Sequence, residues 1–300
     1  MRNQTRDALL LAIGGFALLS TGDSLVKTMA GQWPGPAIAS LRYVVGTLGL
    51  GSLLLWREGQ AGFRFDRLGW HAVRGFGVAF SATTFFTAVQ IMPFAAATAI
   101  SFTSPMITAL LAALLLGEPL RRETWIASIA AFAGVIVVLR PNFAAIGPAA
   151  VLPMFAALGM ALLMIGNRAV QGRGSALAMQ VNVAIFATLF LLLFTVVGHF
   201  SGVAMLHVGV PSWSVVGRSA MIAVTGSGAH ALIYMATSRA GAGTIAPMTY
   251  FQLIMAGFYG WLLFHEHPDL TALGGAAIII AAGLYLWRAG RVIDEPQGTD

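Results

Sequence analysis

The sequence predicts an all-α integral membrane protein whose ten transmembrane helices form two inverted repeats of five. Three observations predict this fold: the 300-residue chain is 58% hydrophobic, only 9% of its residues are charged, and its apolar segments occur in two similar sets. A soluble domain carries about a quarter charged residues, so this chain cannot cover a water-exposed surface. The same composition excludes a disordered chain, because disorder goes with few apolar residues and many charges.

Ten segments have roughly the 20 mostly apolar residues that a helix needs to cross a bilayer. They are residues 8–29, 35–56, 71–91, 95–116, 123–140, 147–167, 176–198, 215–238, 243–264 and 270–288. The first is too long for a signal peptide and contains Asp23 and Lys27, so we expect an uncleaved span. Turn residues separate the segments, for example at Trp33–Pro36 and Arg140–Asn142.

The basic residues predict how the chain is oriented. With a cytoplasmic N-terminus, 13 of the 17 lysines and arginines lie in or beside cytoplasmic loops. The four others, in spans or near the outer face, are Lys27, Arg42, Arg140 and Arg218. This bias predicts a protein of the cell inner membrane with both termini in the cytoplasm. Because the net charge of +6 is then accounted for by topology, we expect no nucleic-acid partner.

The two halves of the chain resemble each other at an offset of 148 residues. Residues 95–118 end in Leu-Leu-Leu-Gly-Glu118, and residues 240–266 end in Leu-Leu-Phe-His-Glu266. We therefore expect a first repeat at 1–141, a second repeat at 142–290 and a cytoplasmic tail at 291–300. Since five is an odd number, the second repeat enters the membrane upside down, which is an architecture of secondary transporters.

The chain has ten predicted spans in two such repeats, and the fourth helix of each repeat ends in an apolar run and a glutamate. In these features it resembles the EamA-type branch of the drug/metabolite transporter superfamily. The resemblance covers nearly the whole chain, although His265 stands where the first repeat has Gly117. It implies a transporter that exports amino acids, aromatic ones among them, or related small metabolites.

Polar residues in the fourth and ninth segments are the first candidates for substrate binding. The fourth segment carries hydroxyl groups on one helix face, at Thr98, Ser101, Ser104 and Thr108. Thr249 and Gln252 stand at corresponding positions of the second repeat. Such a stripe either binds a substrate in a water-filled cavity or bonds back to its own helix. Pro105 and Pro247 favour kinks in these segments, either as gating hinges or as fixed bends.

The eighth segment contributes His230 and Tyr234, which lie one helical turn apart. An ionisable group in mid-span most often faces the bundle interior or an aqueous cavity. We expect His230 either to bind substrate or a coupling proton, or to be a neutral residue bonded by a neighbouring helix. Phe80 and Tyr250 are expected to line an apolar cavity, with helix packing or lipid contact as the alternative.

Charged residues near the outer ends of the first two spans form a second candidate group. Asp23 and Lys27 are one turn apart in the favourable order for an ion pair, and Arg42 lies at a similar depth. The group either binds a zwitterion or couples proton movement, or it is an internally neutralised pair.

Glu118 and Glu266 end their helices, where the helix dipole disfavours a carboxylate. We expect them to cap the next helix.

These observations predict a secondary transporter that exports amino acids or related small metabolites by alternating access. A drug or organic-cation exporter is the alternative. A membrane-embedded enzyme is the remote one, because clustered catalytic residues are missing. The sequence has no G-x-x-x-x-G-K-[ST] phosphate loop, so a substrate gradient or proton movement supplies the energy.

The expected partners are a small-molecule substrate and the lipid bilayer, and a monomer is compatible with the sequence. We expect no cofactor. We also expect no metal site at His265–Asp269, because neighbouring residues on a helix point in different directions.

Overall fold

The computed structural model describes residues 2–63, 66–117, 122–170, 174–240, 242–267 and 269–294, and within these ranges it is helical without strands. Its helices are α1 (Arg2–Lys27), α2 (Gly35–Glu58), α3 (Leu68–Ile91), α4 (Phe94–Ser101), α5 (Ser104–Leu116), α6 (Arg122–Ile146), α7 (Leu152–Ala169), α8 (Ala176–Phe200), α9 (Trp213–Ala240), α10 (Ala242–Ile245), α11 (Phe251–Phe264) and α12 (Leu270–Asp294). Short 3-10 turns lie at Gly59–Phe63, Gly147–Val151, Ala204–Leu206 and Ala246–Tyr250.

The number of spans agrees with the sequence prediction. Nine helical segments of the described chain are long and apolar enough to cross a membrane. The predicted span at 243–264, which comprises α10, a 3-10 turn and α11, is not among these nine. With this divided segment the bundle has ten spans, and the predicted fold class is confirmed.

The fourth and ninth spans are interrupted at corresponding places. In the fourth span α4 ends at Ser101 and α5 begins at Ser104, with Pro105 in the first turn of α5. In the ninth span Pro247 occupies the first turn of the 3-10 segment. Proline has no backbone N–H to donate and is tolerated at the start of a helix. The structure therefore has interruptions where the sequence predicted kinks.

Helices of the first repeat pack on helices of the second. The most extensive pairings join α1 to α9, α3 to α7 and α6 to α12. In a five-span repeat α1 corresponds to α7, and α3 corresponds to α9. The pairing of α1 with α9 is therefore the counterpart of the pairing of α7 with α3. Close approach of α6 and α12 depends on two glycines: a Cβ on Gly134 would lie 2.8 Å from the carbonyl oxygen of Gly275. The interface between the repeats thus forms the interior of the bundle.

Candidate substrate-binding site

A polar group in the bundle interior links α1 of the first repeat to α11 of the second. The Gln252 side chain donates a hydrogen bond from Nε2 to Oδ2 of Asp23 at 3.1 Å. Nearby on the same two helices, the hydroxyl groups of Thr21 and Tyr259 are 2.7 Å apart. Both pairs are partly buried. The Asp23 carboxylate therefore lies at the interface of the repeats, where secondary transporters of this architecture bind their substrates.

The Arg42 side chain, on α2, brings a positive charge to the same region. It lies near the Asp23 carboxylate and lines the same crevice as His230. Its guanidinium lies 5.4 Å from the ring centroid of Tyr43 and 5.7 Å from that of Phe86, so two aromatic faces hold it by cation–π attraction. Among the residues that the structure describes, Arg42 forms no hydrogen bond or salt bridge. Its N–H donors are available.

A crevice lies beside Arg42, between α2, α8 and α9. Its lining includes Arg42, Tyr43, Gln180, Gly226, Ser227 and His230. Ser227 and His230 belong to this lining, and over the described chain neither side chain forms a hydrogen bond. The crevice holds about 50 Å³, whereas a pocket for a small organic ligand needs roughly 300–1,000 Å³. The crevice is therefore too small, as it stands in this structure, to hold an organic ligand.

A larger depression at the start of α3 is a different feature. It encloses about 550 Å³ and is lined by Arg67, Gly69, Trp70 and Val73. It is open to the surface and contains none of the predicted site residues. We therefore place the candidate site at the interior charges, where the two repeats meet.

The hydroxyl stripe of the fourth span bonds largely to its own helix. Thr98, Ser101 and Thr108 donate to carbonyl oxygens four residues earlier, at 2.8, 2.9 and 2.8 Å. This back-bonding is the second of the two interpretations that the sequence allowed. Ser104 and Thr249 have no side-chain hydrogen bond within the described residues, so their hydroxyl groups stay available.

The predicted aromatic residues have other neighbours. The Tyr250 ring packs edge to face on Phe102, with centroids 5.7 Å apart, and its hydroxyl fills the space beside Gly283. The Phe80 ring stacks on Phe76 at 5.7 Å. The Tyr234 side chain is 60% exposed. Packing against helices therefore accounts for the observed contacts of Tyr250 and Phe80.

The expected ion pair between Asp23 and Lys27 is replaced by another. The Lys27 ammonium lies 2.8 Å from Oε1 of Glu266. The second oxygen of Glu266 accepts a hydrogen bond from the backbone N–H of Phe94 at 2.9 Å. Glu266 thus caps α4 of the first repeat, while the sequence predicted that it caps the helix following it. The equivalent residue Glu118 lies outside the described residues.

Gly226 contributes to the site although its role was not predicted from the sequence. A Cβ at Gly226 would lie 2.7 Å from Nη2 of Arg42, so only glycine leaves the observed room for the guanidinium. Its position one helical turn before His230 was the available signal, because residues four apart share a helix face. Tyr43 and Phe86 were also not linked to Arg42 in advance.

Comparison with known proteins gives the same architecture. The EamA-like transporter family matches residues 7–140 and 147–288. An S-adenosylmethionine uptake transporter of Rickettsia prowazekii is 27% identical over 93% of this chain and 94% of its own. The pseudopaline exporter CntI of Pseudomonas aeruginosa is 25% identical over 94% and 96%. A solved crystal structure superposes with a TM-score of 0.60 at 18% identity, covering 96% of this chain and 99% of that one; this likeness concerns the fold alone.

Proposed function

Because the chain belongs to the EamA-like transporter family, we propose that it is a secondary transporter that exports amino acids or closely related zwitterions by alternating access. The proposed binding site lies between the repeats and contains Asp23 and Arg42. One observation carries the proposal: within the described chain, the Asp23 carboxylate bonds with Gln252 and forms no salt bridge with the Arg42 guanidinium, which has no hydrogen bond of its own.

An amino acid fits the charges of this site. The guanidinium of Arg42 offers a planar fork of N–H donors that suits a carboxylate, and the Asp23 carboxylate suits an ammonium group. Charges within a membrane are costly unless they are paired, so a zwitterion that bridges the two side chains neutralises both. His230 and Ser227 add hydrogen-bonding groups along the crevice.

The relatives support a substrate of this chemistry. S-adenosylmethionine, in the name of the Rickettsia relative, contains a methionine group with an ammonium and a carboxylate. The Pseudomonas relative is named as an exporter, and we propose the same direction here. The distribution of basic residues supports an inner-membrane protein with both termini in the cytoplasm.

Efflux from proteoliposomes tests this function. Liposomes loaded with radiolabelled amino acids are expected to release at least one of them faster when they contain the protein. The variants Arg42→Gln and Asp23→Asn are each expected to abolish that release. Arg6→Gln is the matched control, because Arg6 is 73% exposed and distant from the site, and it is expected to transport normally. Absence of protein-dependent efflux for every amino acid would contradict the proposal.

An organic-cation exporter is the second candidate, and the partly buried Asp23 carboxylate is the observation that favours it. A cation needs the negative charge of Asp23 and gains nothing from Arg42. Asp23→Asn would then abolish export of a quaternary ammonium compound, while Arg42→Gln would preserve or increase it. A zwitterionic substrate requires both charges, so the pair of variants separates the two functions.

A further inference from the structure

On the face of the bundle where α1 ends, we propose that Lys27 and Glu266 form a latch that closes this side of the transport path and opens in each cycle. Alternating access, as proposed above, is the premise of this latch, and the identity of the substrate does not enter. The two residues come from different repeats, and together they bind the connection between α3 and α4.

The latch has four polar contacts. The Lys27 ammonium forms the 2.8 Å salt bridge with Glu266. It also donates to the carbonyl oxygens of Val89 and Met92, at 2.9 and 2.6 Å. The other oxygen of Glu266 accepts the backbone N–H of Phe94 at 2.9 Å. The two charged side chains are only 11% and 19% exposed, so each charge is shielded and bonded.

The backbone groups in these contacts come from the ends of two helices. The last carbonyls of a helix and its first N–H groups have no partner within the helix, and they carry partial negative and positive charge respectively. Lys27 binds the negative end of α3, and Glu266 binds the positive end of α4. Hydrogen bonds of this charge-assisted kind are roughly twice as strong as neutral ones. The latch therefore holds the connection between α3 and α4 in addition to its own ion pair.

Helix packing indicates which parts the latch joins. The helix α1 contacts α9 and α11 and forms one group with them, and α3 forms a second group with its neighbours α7 and α8. An arginine strengthens each group from within. Arg218 of α9 donates to the carbonyl of Thr28 at 2.9 Å, and Arg74 of α3 donates to Asn167 of α7 at 2.7 Å. The Lys27–Glu266 pair lies at the end of the first group, and its bonds to Val89, Met92 and Phe94 cross to the end of α3 and the start of α4. A closing contact has to lie at such a crossing.

The crevice extends towards the opposite face of the membrane. Its lining includes Leu50, near the end of α2, and Gln180, near the start of α8. Because α2 runs antiparallel to α1 and α8 runs parallel to it, these two residues lie away from the end of α1. A closed latch thus coexists with a crevice on the other side of Arg42, as alternating access requires.

Thiol labelling can follow both sides of the path, because the chain contains no cysteine. Val26→Cys reports on the latch side: Val26 is fully buried next to Lys27, in one apolar cluster with Val89 and Met92. Ser227→Cys reports on the crevice, which Ser227 lines. Each replacement is made alone, in protein reconstituted into lipid nanodiscs, where a soluble maleimide reaches both faces.

The latch is opened by Glu266→Gln, which keeps an oxygen for the N–H of Phe94 and removes the charge. Labelling at position 26 is expected to become about tenfold faster. This factor corresponds to the free energy of one hydrogen bond to a charged group. Labelling at position 227 is expected to become slower, because opening of one side closes the other. The matched control Asp7→Asn removes an exposed charge 3.9 Å from Arg6 and is expected to change neither rate.

An unchanged rate at position 26 would overturn the latch, and so would faster labelling at both positions, because that indicates a general loosening. Lys27→Met is the second variant: it leaves the Glu266 cap on α4 in place and is expected to produce the same opposite changes. Amino-acid efflux is measured separately, with the same protein in loaded proteoliposomes. A labelling response without efflux supports the latch and contradicts only the proposed substrate.

Discussion

A methyl group added at Gly226 is expected to disturb substrate binding while the fold stays intact. The new Cβ would lie 2.7 Å from Nη2 of Arg42, whereas ordinary van der Waals contact begins at 3.4 Å. The guanidinium therefore has to move by about 0.7 Å. It stands at the end of a flexible side chain, so the displacement costs little stability and changes the position of the proposed carboxylate-binding group.

The size of the effect follows from the hydrogen bonds that Arg42 is proposed to donate to substrate. A hydrogen bond to a charged group contributes about 1.5–3 kcal/mol, and each 1.4 kcal/mol corresponds to about a tenfold change in affinity. Loss of one such bond in Gly226→Ala is expected to raise the apparent KM about 10- to 100-fold. The melting temperature in detergent is expected to stay constant or rise slightly, because alanine favours a helix over glycine by about 1 kcal/mol.

Gly217→Ala is the matched control for this experiment. Gly217 lies on the same helix, and a Cβ there would meet no atom within 4 Å. Both variants gain the same helix propensity, and only the one at Gly226 contacts Arg42. Concentration-dependent counterflow in proteoliposomes measures KM. Equal KM values for the two variants would refute the assignment of Arg42 as the carboxylate-binding residue.

Three further predictions concern the packing and the latch. Arg74→Ala is expected to lower the free energy of unfolding by about 3 kcal/mol, because Arg74 is 4% exposed and its partners in α7 and α8 lose their hydrogen bonds. Unfolding in detergent measures this change, and a loss below about 1 kcal/mol would contradict the prediction. Gly134→Ala is expected to lower the free energy of unfolding by about 1–3 kcal/mol in the same measurement, because the new Cβ would contact the carbonyl oxygen of Gly275 too closely. Unchanged stability would argue against the close packing of α6 on α12. Exchange of the latch charges, Lys27→Glu with Glu266→Lys, is not expected to restore wild-type thiol labelling, because each charge then faces the unfavourable helix end. Full restoration would mean that the ion pair alone matters.

Several features of the fold were predictable because they depend on a single segment. Apolar length defined the spans: the eighth was predicted at 215–238, and α9 extends from Trp213 to Ala240. The prolines of the fourth and ninth spans lie close to the places where those helices are interrupted. Whether each proline produces a bend or an interruption depends on the packing of neighbouring helices, so the breaks near Pro105 and Pro247 became visible only in the structure.

The sequence by itself determined that this is a helical membrane protein of ten spans, and it identified the few polar side chains within them. Only the tertiary structure decided how these side chains pair. Asp23 bonds with Gln252, 229 residues later, and Lys27 pairs with Glu266. Helical periodicity specifies which residues share a face of one helix, whereas the partner across an interface depends on how the two repeats pack. Lys27 binds Glu266 because two helix carbonyls at that position also accept from its ammonium, which a pair with Asp23 on the same helix could not provide.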